Sequence, residues 1–213
     1  MPRISVPTLT LPGAGKLVVI ATLLGLLAGC ASKAMPTRQE NICHIFEDKR
    51  GWHYHALQME KTWGVPVHVP MAMMYQESSF RHNARPPRRY ILGFIPAGRP
   101  SNARGYSQAL TATWNDYQEE TGNRRASRTN FADSIDFMGW YINKTHSINR
   151  VSKWDARHQY LNYHEGWGGY RRGTHRDKAW LLAVAGRVDQ RANTYYQQYQ
   201  ACKGSLSRGR LFR

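Results

Sequence analysis

The sequence predicts a mainly α domain with little or no β structure. Three observations carry that prediction. Apolar residues recur at helical spacing, most clearly in the stripe Leu181, Val184, Val188, Tyr195 and Tyr199. No stretch shows the apolar–polar alternation of a half-buried strand. Gly, Pro and Asn stand at the ends of the periodic stretches, where helices are capped or broken.

The elements follow in chain order. Asn41–Trp63 groups Ile42, Ile45, Phe46, Trp52, Leu57 and Trp63 at helical spacing, with a break at Gly51 and an end at Gly64-Val65-Pro66. A second helix starts near Pro70, where proline fits the first turn, and runs to Glu77. Residues 85–102 hold six Pro or Gly and read as a long loop. Thr111–Glu120 reads as a short helix closed by Gly122. Asn130 caps a helix with Ile135, Met138 and Ile142 on one face. Asp155–Tyr163 is a short helix ended by Gly166, and the last helix spans Asp177–Ala201. The basic segment 204–213 reads as a loose tail.

Composition narrows the function classes. The chain has 213 residues, 41% hydrophobic and 12% aromatic, which excludes a disordered polymer. Its net charge of +16 excludes an acidic solvating protein and points to polyanionic surroundings.

The N-terminus narrows them further. Arg3 and Lys16 precede an apolar run, Leu17–Ala28, that is too short to span a bilayer and suits the core of a signal peptide. The run ends in Leu27-Ala28-Gly29-Cys30, which resembles the lipobox of bacterial lipoproteins. That resemblance implies a signal peptide over 1–29 and a lipid on Cys30. With Ala31 rather than Asp next, it implies an outer-membrane anchor facing the periplasm. Residues 30–40 then form a tether, and 41–203 the domain. Such an export signal argues against nucleic acid as the partner of the basic residues. Setting Cys30 aside leaves Cys43 and Cys202, one near each end of the domain. Exported proteins keep disulfides, so a Cys43–Cys202 bridge is expected.

Three short elements stand out as chemistry. They are Glu77-Ser78-Ser79-Phe80, Gly105-Tyr106-Ser107-Gln108 and Tyr163-His164-Glu165-Gly166. Together, in this order, they resemble the motifs of the soluble-lytic-transglycosylase family, which shares its fold with goose-type lysozyme. The first motif matches fully. In the second, Gly105 and Gln108 fit while Tyr106 and Ser107 depart. In the third, Tyr163 and Gly166 fit while His164 departs. The family's fourth element, a tyrosine of the last helix, falls on Tyr195, with Tyr196 as the alternative.

The resemblance implies a compact lysozyme-like helical domain with an active-site groove. It implies cleavage of the β-1,4 MurNAc–GlcNAc bond of peptidoglycan glycan strands without water, giving 1,6-anhydro ends. Glu77 would be the catalytic acid and then the base. Ser78, Ser107, Gln108, Tyr163 and Tyr195 would bind or position substrate, and Tyr195 would give its hydroxyl to Glu77. No cofactor or metal is expected, and the chain would act as a monomer on the wall, held at the membrane by its lipid.

Elementary chemistry supports Glu77 independently. An apolar helix with Met73 and Met74 desolvates a carboxyl at its C-terminal end, and the negative end of the helix dipole acts the same way. Both effects keep the acid protonated near neutral pH, as a poor leaving oxygen requires. A lysozyme-like muramidase using water would need a second carboxylate, for which Glu60, Asp116 and Glu165 are candidates. A non-catalytic wall-binding lipoprotein is the other alternative. The loop with Arg88, Arg89, Tyr90, Phe94 and Arg99 is expected to flank the glycan groove. Trp114, Trp140, Trp154 and Trp180 read as core residues, and Trp167, among glycines after the third motif, as an exception.

Overall fold

The computed structural model describes residues 34–208. The expected signal peptide over 1–29 and lipidation of Cys30 fall, with residues 31–33 and 209–213, outside the described residues. From Met35 onward the chain forms one unit with its own core. Seven helices are present among the described residues: α1 (Ile42–Asp48), α2 (Arg50–Trp63), α3 (His68–Ser78), α4 (Thr111–Thr121), α5 (Phe131–Asn149), α6 (Ala156–Arg172) and α7 (Ala179–Arg208). A two-stranded antiparallel hairpin, β1 (Tyr90–Ile91) with β2 (Ile95–Pro96), pairs Tyr90 with Pro96.

Helix α3 is the centre. Every residue from His68 to Met74 is buried. A helix apolar on all sides can only be stable inside a core, and α3 is packed against α5, α6 and α7. Pro70 lies in its first turn, where a backbone N–H would have no intrahelical partner.

The other helices form the wall around it. Helix α2 lies close along α5 at Gly139, where a Cβ atom would stand 2.6 Å from Met59 Cγ and Trp63 Cδ1. Trp52 of α2 stacks flat on Phe131 of α5, with ring centroids 3.8 Å apart. Two caps are those the sequence predicts, Asn130 accepting from the Asp133 N–H and Gly122 closing α4 in the left-handed region, and Asp155 adds a third by accepting from the His158 N–H.

Several boundaries differ from the sequence reading. The first helical stretch breaks at Lys49 (φ −114°, ψ 68°), while Gly51 is helical inside α2. Helix α6 does not stop at Gly166. It kinks there and continues to Arg172. The tail is not loose from residue 204, because α7 runs on to Arg208 with Leu206 packed on the core. Nor are residues 37–40 a free tether. The Thr37 N–H donates to Asp48, the Tyr75 hydroxyl donates to Glu40, and Arg191 pairs with Glu40. Trp154 and Trp180 are 60% and 58% exposed, so they are surface residues rather than core. Trp167 packs inward, stacked on Tyr141 and donating its indole N–H to Thr145.

Cys43 of α1 and Cys202 of α7 form a disulfide, with Cα atoms 6.0 Å apart and a sequence separation of 159. In the chain-entropy view a loop of that length stabilises the fold by about 5 kcal/mol. Replacing both cysteines by serine should lower the unfolding free energy by roughly 2–5 kcal/mol. Urea titration measures this, and an unchanged midpoint and slope would show that the bridge contributes nothing.

Candidate active site

The site is built where α3 ends. Glu77 is its penultimate residue, and Ser79 (φ 50°) and Phe80 (φ 57°) then take left-handed backbone in succession. For residues with a side chain this costs about 1 kcal/mol or more apiece. The turn is held by the Ser79 N–H donating to the Tyr75 carbonyl at 2.8 Å and by burial of Phe80 against Trp52. Glu77 is thereby fixed at a rigid helix terminus.

Ser78 connects the first motif to the second. Its hydroxyl donates to the Tyr106 carbonyl at 2.7 Å. The residue is 2% exposed, so Ser78 fastens the frame and does not bind sugar, contrary to the sequence reading. In the second motif Gly105 has φ 79° and donates its N–H to Ala84, closing the base of the hairpin loop. A Cβ at Gly105 would lie 1.7 Å from the Arg128 carbonyl oxygen, so only glycine fits.

Gln108 sits beside it, half-buried. Its amide nitrogen donates to the Ala84 and Gly105 carbonyls at 3.0 and 2.8 Å. Both amide hydrogens are thus committed, and only the amide oxygen is left to meet a ligand. Ser107 is fully buried. Its hydroxyl meets no polar partner, and its carbonyl accepts the Tyr163 hydroxyl at 2.6 Å. Ser107 therefore positions Tyr163 rather than contacting sugar.

The third motif approaches from α6. Gly166 takes φ 69° and ψ 161° inside the helix, a backbone that a side chain disfavours. Tyr163 and Tyr160, three residues apart, lie on the same side of α6. Tyr160 is hydrogen-bonded to Glu77, and Tyr163 lies within its electrostatic reach. Burial, reinforced by the neighbouring carboxylate, pushes both phenols up, so both remain donors at neutral pH.

Tyr195 does not reach Glu77. Its hydroxyl donates to the Gln39 carbonyl, at the opposite border of the domain from the motif cluster in sequence. Tyr160 takes the part that the sequence reading gave to Tyr195. The signal for it was present in the sequence as a second tyrosine one helical turn before the motif tyrosine.

Burial pushes the Glu77 carboxyl up to about 7, against an opposing hydrogen bond from Tyr160 that favours the ionised form. The side chain is hemmed in by protein yet still partly open to solvent, as an acid that must meet a substrate requires. No second carboxylate contributes to the shift. Glu165 is held elsewhere. Burial pushes it up, but Lys178 at 2.7 and 2.8 Å, Thr174 and His164 outweigh that and hold it at about 2. Its side chain is 4% exposed and braces the α6–α7 turn. Glu60 accepts the Val67 N–H, and Asp116 lies exposed on α4. No cluster able to hold a metal occurs among the described residues.

The family model described as the transglycosylase SLT domain matches residues 18–202. No curated protein and no solved structure matches the chain.

The raised carboxyl makes a stability prediction. A group whose folded pKa lies above its unfolded value stabilises fully below the unfolded value, 4.5, and that contribution is lost as pH rises through about 7. Wild type should therefore lose about 3 kcal/mol relative to Glu77→Gln between pH 5 and pH 9. Tyr160→Phe removes a donor to the carboxylate and raises its folded pKa further, so its loss should start at the same pH, continue to higher pH and be larger. Urea unfolding across this range tests both, and parallel profiles for wild type and Glu77→Gln would refute the buried-acid assignment.

Proposed function

Because the chain belongs to the transglycosylase SLT domain family, we propose that it cleaves the β-1,4 MurNAc–GlcNAc bond of peptidoglycan without water, with Glu77 as sole acid and base. The observation that supports this reading is a single carboxyl at a rigid helix end, held near pKa 7 by burial and Tyr160.

The steps follow from that carboxyl. Protonated Glu77 gives its proton to the bridging oxygen, and the bond from that oxygen to C1 of MurNAc breaks. Positive charge develops at C1, and the Glu77 carboxylate now beside it stabilises that charge. The 6-hydroxyl of the same sugar attacks C1 and passes its proton to Glu77. A 1,6-anhydro ring has formed, the acid is regenerated and no water is consumed.

Tyr160 steadies Glu77 in the ionised half of the cycle. Tyr163, with its hydroxyl tied to Ser107, presents its ring and fixes the wall of the site. The Gln108 amide oxygen accepts from a sugar hydroxyl or N-acetyl N–H. The hairpin flanks the groove from the side of Ala84 and Gly105. It exposes Tyr90, Leu92 and Phe94 beside Arg88, Arg89 and Arg99.

A water-using muramidase is the second reading. It is disfavoured by Glu165, the candidate within the third motif, being fully engaged by Lys178, Thr174 and His164.

Purified protein incubated with peptidoglycan should release products with anhydro ends, read by mass spectrometry. Glu77→Gln should lower that release by at least about 100-fold. Products heavier by one water would instead support hydrolysis, and binding without cleavage would support a scaffold.

The lipid anchor is a separate proposal, resting on Leu27-Ala28-Gly29-Cys30. In a bacterium, labelled fatty acid should enter the wild-type chain and not Cys30→Ser. Equal labelling of both would remove the anchor from this reading.

A further inference from the structure

Every residue from Pro87 to Pro100 is exposed, including the apolar ones. Tyr90, Ile91, Leu92, Phe94 and Ile95 are among the large hydrophobic side chains left open, and Leu92 and Phe94 are 78% and 73% exposed. Single apolar residues on a surface are ordinary, whereas a contiguous group marks an interaction site. The backbone that carries this group is defined. Ile91 pairs with Ile95 and Tyr90 with Pro96. The Phe94 N–H donates to the Ile91 carbonyl at 3.3 Å, and the Arg89 and Ala97 N–H groups tie the two arms together behind the strands. Leu92 (φ 52°) and Gly93 (φ 80°) form the turn. Tight hairpin turns with two positive φ values favour Asn-Gly. Leucine is disfavoured there, yet here it places a bare apolar side chain at the tip.

Charge surrounds the other end of the hairpin. Between Glu77 and Asp116 the sequence holds six arginines and no acidic residue. They are Arg81, Arg85, Arg88, Arg89, Arg99 and Arg104, all exposed. None of them forms an ion pair among the described residues. Arg88, Arg89 and Arg99 stand where the two arms begin, Tyr90 lies next, and Leu92 and Phe94 lie at the end. At about 3.3 Å per residue, Arg89 is roughly 10 Å behind the tip. Elements that lie in a lipid interface bury their apolar part by about 5–10 Å. Arginines at that distance meet headgroup phosphates, and tyrosine favours the boundary between the two layers.

We propose that the 90–96 hairpin inserts its apolar tip into the interface of an anionic lipid membrane, with the arginines at its base on the headgroup phosphates. Other occupants match only half of the surface. A glycan offers ring faces to Tyr90 and Phe94 but nothing to Ile91, Leu92 and Ile95. A second copy of the chain brings the same six unpaired arginines and is repelled. A nucleic acid meets the arginines and leaves the tip in water. The contact needs neither the Cys30 lipid nor the chemistry of Glu77, so it stands or falls separately from both.

Vesicle sedimentation tests it with residues 35–213, the unit that carries its own core. This fragment has no lipidation site, and thermal melts check that each variant is folded. Vesicles of phosphatidylcholine with about one-third phosphatidylglycerol should bind it at least about tenfold more tightly than phosphatidylcholine alone. Leu92→Ser combined with Phe94→Ser should weaken binding to the anionic vesicles about tenfold. Arg88→Gln combined with Arg89→Gln should remove most of the anionic preference. Insertion is read separately from adsorption of a basic protein. An environment-sensitive dye on Leu92→Cys should shift to the blue on the vesicles and be quenched by lipids brominated in their chains. The same dye on Asp116→Cys, exposed on α4, should do neither. Binding that survives the loss of Leu92 and Phe94, with an unshifted dye at position 92, would mean charge adsorption alone and would overturn the proposal. So would absence of vesicle binding together with hairpin-dependent retention on insoluble peptidoglycan or on an acidic protein, which would assign the hairpin to that partner instead.

Discussion

The burial of α3 from His68 to Met74 is the constraint on which the rest of the structure depends. From His68 to Met74 every residue is buried, so the helix can neither slide nor roll without opening cavities against α5, α6 and α7. Glu77 inherits that rigidity because it lies on the next turn. Its desolvation has the same source. A carboxyl carried on a surface helix would keep its water and its ordinary pKa. Carried out of the core on α3, it is desolvated by the surrounding protein while the residue as a whole remains half-buried. The left-handed pair Ser79 and Phe80 then turns the chain away at once, leaving the carboxyl at the rim.

Three polar side chains of the motifs are spent on backbone rather than offered to a ligand. Ser78 donates to Tyr106, Gln108 donates to Ala84 and Gly105, and Tyr163 donates to Ser107. Apart from the Gln108–Gly105 bond, which closes its own turn, each joins two of the segments that converge on Glu77. Buried hydrogen bonds of this kind contribute about 1 kcal/mol apiece to stability, but breaking one strands a buried group at higher cost. Their larger effect is geometric. They lock the α3 terminus, the Gly105 turn and the α6 face into one frame, and a misplacement of about 1 Å at a reacting centre can cost about two orders of magnitude in rate.

Much of this frame was legible in the sequence, and the unread parts share a cause. Asn130 and Gly122 announce their caps locally, and the Cys43–Cys202 pair follows from parity and the expected export signal. Glu77 is legible because an apolar run ends on an acid. Tyr195 misled because its stripe on α7 predicts burial but not what its hydroxyl meets. That partner, Gln39, lies 156 residues away, and no local pattern carries such information. Gly166 reads as a stop because a lone glycine near a helix end usually caps it. Here the packing of Trp167 and Tyr170 on the core draws the chain back into a helix after the kink. Ser78 and Ser107 look like ligand-binding residues because their hydroxyls are versatile. Only tertiary burial shows that one is a fastener and the other a support.

The pairing of Glu77 with Tyr160 bears on why one carboxyl can serve twice. Burial acting alone would carry the pKa further upward, and the carboxylate formed after proton donation would be poorly tolerated. A carboxyl left in water would sit near its ordinary value and be almost wholly ionised at neutral pH. The hydrogen bond from Tyr160 offsets part of the desolvation and brings the carboxyl to about 7. At that value both forms are populated at neutral pH, which is the condition for donating a proton and then recovering one. The phenol suits this work because burial raises its own pKa, so it remains a donor throughout. A lysine in its place would overstabilise the anion and remove the acid. The clasp on Glu165 shows that outcome within the same molecule, since there the donors of Lys178, Thr174 and His164 together hold the carboxyl at about 2. Two glutamates are thus set about five pH units apart by the balance of burial against the donors each meets. The one given a single neutral donor is the one left able to move a proton.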